Sequence, residues 1–166
     1  TADLTAFGVD GLAFDTGAAA ILSATGKLVG NADASSVGVG TALADLTFSA
    51  TGLKNTSLDS EADATITALA STTGSLSADG VAGAATALGD FVAFGLNNTT
   101  NNLIVADAIG TVGGTAVITG TLDAATTLGF AIASGDFDAT GAAFGSTVAG
   151  DFSLDIGGLA TVKGQA

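Results

Sequence analysis

The chain has 166 residues, 48% hydrophobic and 11% charged, a balance that belongs to folding chains and not to disordered ones. Cys, Met, Trp, Tyr, His, Pro and Arg are all absent, three Lys face 16 acidic residues, and the net charge is -13. Imidazole and thiolate catalysis, the usual zinc, copper and haem ligand sets, and neutralisation of a nucleic-acid backbone are thereby excluded, and the chain reads as a protein that is not an enzyme and has no nucleic-acid partner.

The first residue is Thr1 where a newly made chain has Met, so the expectation is a removed leader or a piece of something longer. The absence of the readily oxidised side chains fits an extracellular or cell-surface location. Leu4-Thr5-Ala6-Phe7-Gly8-Val9 alternates, with Leu4 and Ala6 on one face and Phe7 and Val9 on the other, before a turn at Asp10-Gly11. Residues 1-10 are therefore expected to be an N-terminal extension, a donor strand in which Leu4, Ala6, Phe7 and Val9 add to the sheet of a neighbouring copy. The competing reading is an ordinary first strand. Residues 11-166 are expected to form one domain.

Further along, Leu22-Ser23-Ala24-Thr25-Gly26 resembles Phe48-Ser49-Ala50-Thr51-Gly52, and Gly-Asp-Phe occurs at 89-91, 135-137 and 150-152. The spacings of 26, 46 and 15 residues are unequal, which argues against a solenoid. Asn55-Thr56-Ser57, Asn97-Asn98-Thr99 and Asn98-Thr99-Thr100 match the glycosylation acceptor pattern, making Asn55, Asn97 and Asn98 candidate acceptors. Asp59, Glu61 and Asp63 place carboxylates at i, i+2 and i+4, a spacing that suits Ca2+, the one candidate cofactor. The loop is not an EF-hand, because Ala64 stands where Gly is required and Ala70 where a bidentate Glu belongs.

Alternation of period two is clearest in Leu46-Phe48-Ala50, Ala64-Ile66-Ala68, Ala116-Ile118-Leu122 and Phe152-Leu154-Ile156. Gly or Asp recurs every eight to twelve residues or so, as at Asp79-Gly80, Gly113-Gly114 and Gly157-Gly158, and reads as turns. One short helix is a candidate near 80-89, where Val81, Ala84, Ala85 and Leu88 fall at helical spacing. The expected fold is all-β, an antiparallel β-sandwich of jelly-roll or Greek-key type with about ten to thirteen short strands. No run approaches the roughly 20 apolar residues of a membrane-spanning helix, and a transmembrane barrel would lack its aromatic girdles, so no membrane insertion is expected.

Sheet edges are normally guarded by Lys, Pro or bulges, and here Pro is absent and Lys scarce. The function this suggests is a secreted structural subunit that assembles with copies of itself into an extracellular filament or surface lattice by strand complementation. The alternative is an adhesin-like or calcium-stabilised binding domain of a longer surface protein, with other cells or surfaces as partners.

Overall fold

The computed structural model describes residues 1-98, 103-144 and 147-165, with side chains for 1-97 and 111-143. The backbone forms eight strands in one sheet: β1 (Ala2–Asp10), β2 (Ala13–Thr16), β3 (Ala20–Val39), β4 (Ala42–Lys54), β5 (Ser57–Ser60), β6 (Ala64–Asn98), β7 (Leu103–Phe144) and β8 (Thr147–Gln165). All-β character is as expected. The antiparallel sandwich is not: every strand pair is parallel.

The registers reveal a coil. Ala2 lies beside Leu46, Ala20 beside Ala64, Ala42 beside Ala85, Ala64 beside Gly110 and Gly110 beside Phe152. Each residue thus neighbours one about 44 further on. A straight strand of 35 residues such as β6 would reach roughly 115 Å. Instead β6 doubles back, because a Cβ built on Gly74 would lie 2.6 Å from the ring of Phe91, which belongs to the same strand. The protein is a parallel β-solenoid of nearly four coils, and the solenoid that unequal repeats argued against is the architecture present. Hydrogen bonds from coil to coil continue through the corners, with Gly11 N–H donating to Lys54 C=O at 3.1 Å and Ala20 N–H to Asp63 C=O at 2.8 Å.

The candidate helix at 80-89 lies inside β6. Ala85, Ala87 and Gly89 are buried with half-buried Thr86 and Leu88 between them, which is period two, and Gly83 takes a φ of +114° open to Gly but strained for other residues. Many of the expected short strands are consecutive sides of one curling strand.

Two cores run along the coil axis. The larger contains Leu46, Phe48, Leu76, Phe91, Ile118 and Leu122, and the smaller Leu53, Leu58, Ile66, Leu96 and Val112. A waist of backbone separates them. Gly8, Gly52, Gly95 and Gly141 form one column, as the flanking registers require. A Cβ on Gly8 would lie 2.6 Å from the carbonyl carbon of Thr25, one on Gly52 2.6 Å from the carbonyl oxygen of Leu69, and one on Gly95 2.7 Å from that of Thr115. In each coil, main chain meets main chain across the interior, and only Gly leaves room. Alternation slips by one residue there: Leu46, Phe48 and Ala50 face the larger core, and Leu53 resumes in the smaller.

The lobes are narrow, since 14 of the 25 buried apolar side chains among the described residues are Ala. The exception is a column of rings. Phe48 stacks on Phe91 with centroids 4.8 Å apart and Phe91 on Phe137 at 4.9 Å, with interplanar angles of 5° and 4°. In-register parallel pairing imposes this stacking, because the strand spacing of about 4.8 Å leaves identical side chains directly above one another. The facing wall carries Gly30, Gly74 and Gly120 in register, and their missing side chains make the space the rings occupy.

Within this apolar interior Thr72 sits between Leu28 and Ile118, fully buried, with no partner for its hydroxyl. A buried unsatisfied donor costs about 1-3 kcal/mol. Thr72→Val keeps the β-branched shape and is expected to stabilise the fold by about 1 kcal/mol, read as a higher urea midpoint at unchanged m-value.

Candidate assembly interface

The first and last coils each present a strand edge that has no partner among the described residues. At the first, β1, β2 and β3 each have a partner on one side only, namely β4, β5 and β6. At the other, among the described residues, β8 pairs only with β7, and the stretch of β7 beyond Asp123 pairs only with β6. Unpaired strand edges present rows of free N–H and C=O groups, and natural solenoids cover them with polar caps. No such cap is found among the described residues. Lys27 is the sole basic side chain on β1, β2 or β3.

Apolar side chains crowd the first coil. Ile21, Val29, Val37 and Val39 are exposed, Val37 and Val39 almost completely at 97% and 96%, and Phe7 and Phe14 are half exposed. Leu12, Phe14, Ala20, Ile21 and Leu22 form the rim of an apolar pocket of about 240 Å³, with Leu58 of the second coil also lining it. The pocket is the open mouth of the smaller lobe. Near the far end Leu128, Phe130 and Ile132 are exposed on β7.

The proposed donor strand is the opening stretch of this first coil. β1 lies beside β4 of its own chain, from Ala2 against Leu46 to Asp10 against Lys54. Leu4 packs on the larger core and Val9 on the smaller, Ala6 is half-buried, and Phe7 points outward with the Lys54 ammonium 5.1 Å from its ring centroid. Its second edge is the unpaired one. The inward set is thus Leu4, Ala6 and Val9, in place of the simple two-face split, because alternation slips at Gly8.

Asp59, Glu61 and Asp63 lie on an exposed bend at the tip of the smaller lobe. Buried Ser60 shapes it, its hydroxyl donating to Ala18 C=O at 3.1 Å and accepting from Ala62 N–H at 3.3 Å. Among the described residues no three carboxylates are gathered so as to hold a metal ion. Asp59 instead has Asp15 as its register neighbour. Asn55 has a φ of +50° and donates from its side-chain amide to Asp10 at 2.8 Å, tying the first coil to the second. Asn97 pairs with Lys54 in register and accepts the Asn55 N–H at 3.3 Å. Asn98 is the last residue of β6, its side chain lies outside the described residues, and so do residues 99-102.

Carboxylates gather on the outer surface of the larger lobe. Asp3, Thr47, Asp90 and Asp136 form one column, so Asp90 and Asp136 are like charges on adjacent strands. Opposite, the outward positions of 65-77 and 111-121 carry no charge and are mostly Thr and Ser. What sequence reasoning missed was the second edge, because it treated the first ten residues as the sole assembly element. The Gly columns at spacings of 44, 43 and 46 were the signal that could have found it.

No protein family model, curated protein or solved structure matches the chain. Among the described residues, no helix is long and apolar enough to cross a membrane.

Proposed function

We propose that the protein is an extracellular structural subunit that assembles with copies of itself by β-strand pairing, with the exposed edges of its end coils as the contact surfaces. One observation carries this reading: among the described residues the first and last coils each leave a strand edge unpaired, and the first displays apolar side chains around an open core. Burial of apolar area favours association, and parallel pairing supplies the directional hydrogen bonds. A contact between two different ends does not close on itself and propagates as a filament. A second reading rests on the same ends: a section of a longer coil presents such edges, and its neighbours are then further coils of its own chain, as in an adhesin-like surface protein.

With 16 acidic residues against three Lys, repulsion opposes assembly until salt screens it. The Debye length falls from about 30 Å at 0.01 M to about 3 Å at 1 M. Filaments are therefore expected by negative-stain microscopy and light scattering as NaCl is raised, with CaCl2 and MgCl2 acting alike because no gathered carboxylate site among the described residues selects Ca2+. A chain that stays monomeric across this range rejects the subunit reading in favour of the section of a longer coil.

A further inference from the structure

We infer that copies stack head to tail with uniform polarity, in the one register that sets Leu4 of one copy on Phe137 of the next; this rests on the assembly reading above.

The columns inside the chain dictate the match. Leu4, Phe48, Phe91 and Phe137 occupy successive coils of one column, as do Gly8, Gly52, Gly95 and Gly141. The first and last members of each column lie on the two open edges. Placing Ala2–Asp10 of a second copy along residues 135-143 repeats the pairing that β1 already makes with β4 and β4 with β6. The next Leu4 then extends the ring column beyond Phe137, and the next Gly8 meets Gly141, so the waist continues across the junction. The same placement lays β2 and residues 20-33 of the second copy along β8, because Ala13 and Ala20 share columns with Thr147 and Phe152 and Asp33 shares one with Gln165.

A shift of one residue would turn Leu4 and Ala6 outward and set Gly8 against a residue with a side chain. A shift of two keeps the faces but again places a Cβ in the waist, where backbone already occupies the space. The Gly column therefore selects among registers that the alternation alone allows. An antiparallel end contact would lose both columns at once.

The register also identifies the opposing charge. Asp3 of one copy would lie beside Asp136 of the next, both exposed on the outer surface. That repeats the Asp90 and Asp136 neighbours already present within the chain. The salt dependence of assembly thus has a local source.

The chain contains no Cys, so introduced pairs report without background. Thr5 and Asp138 share an outward column, and adjacent strands about 4.8 Å apart fall inside the 4.4-6.8 Å range of disulfide Cα separations. The full-length variant Thr5→Cys/Asp138→Cys is expected to give a ladder of covalent multimers on non-reducing gels after mild oxidation of filaments. Thr5→Cys/Thr140→Cys, two residues out of register, should give none. As a second measurement, Asp3→Lys should shift assembly to several-fold lower NaCl by pairing with Asp136. Filaments that cross-link equally through position 140, or that fail to cross-link through 138, would overturn the register while leaving assembly standing. Absence of filaments from the unsubstituted chain under all salt conditions would overturn the assembly reading itself.

Discussion

Gly52→Ala should abolish the fold or cost it more than about 3 kcal/mol, a large loss for a single methyl group. The added Cβ would lie 2.6 Å from the carbonyl oxygen of Gly95 on one side and 2.6 Å from that of Leu69 on another. Both obstacles are main chain, one in the adjacent coil and one across the waist, so no side chain can rotate away. Relief would require the two lobes to separate or the third coil to lift. Gly38→Ala is the matched control. Nothing lies within 4 Å of a Cβ there, and loss of unfolded-state freedom should make it neutral or stabilising by about 0.4-1 kcal/mol. Urea titrations of the two variants followed by circular dichroism settle the matter: equal midpoints would remove the waist as a packing constraint.

Phe91→Ala should cost about 3-5 kcal/mol, against total stabilities of about 5-15 kcal/mol for ordinary domains. Phe91 is fully buried and has a ring on each side, so truncation opens a cavity and breaks both stacked contacts. The facing wall is glycine and cannot fill the space. Phe137→Ala should cost less, since Phe137 is half-buried and has one ring neighbour among the described residues. If the two substitutions cost the same under urea, the column has no cooperative centre and Phe91 acts merely as another apolar residue.

The strand content was legible because alternation reports which side of a strand is buried. Ile66 and Ala68, Phe48 and Ala50, and Ile118 and Leu122 are inward as that pattern requires. Direction was not legible, since a half-buried strand alternates identically beside a parallel or an antiparallel neighbour. Turn signals misled for a related reason: Asp10-Gly11 is a real bend, with Gly11 at a φ of +79°, whereas Asp79-Gly80 and Gly113-Gly114 lie within long strands. In this coil Gly serves the waist and the ring wall as much as the turns.

The period was present but masked. Gly89-Asp90-Phe91 and Gly135-Asp136-Phe137 are stacked in register, so their spacing of 46 is the coil length. The third Gly-Asp-Phe belongs elsewhere, with Asp151 beside Ile109. The spacing of 26 between Gly26 and Gly52 measures a different thing, the path from one side of the waist to the other, for a Cβ on Gly26 would collide with the carbonyl group of Thr51. Coil length also varies. The offset between the second and third coils is 43 at Lys54 and Asn97 but 46 at Leu58 and Ile104, so the third coil carries three extra residues between Asn97 and Ile104. Of the candidate site, the alternation that turns Leu4 and Ala6 to one side was legible, whereas the slip at Gly8 that brings Val9 inward was not. The i, i+2, i+4 spacing of Asp59, Glu61 and Asp63 does not gather three carboxylates among the described residues.

The 44-residue offset has a kinetic consequence. Every pairing joins residues roughly a quarter of the chain apart, beyond the relative contact order of about 0.16-0.22 at which all-β domains already fold in milliseconds to seconds. Closing the first coil on the second sacrifices chain entropy before any ladder compensates it, and each later coil then lays down on a finished template. Nucleation is accordingly slow and elongation fast within a single molecule. A folded copy with an open edge offers the same template to an unfolded one, so folding and growth would become one process seeded by whatever ends already exist.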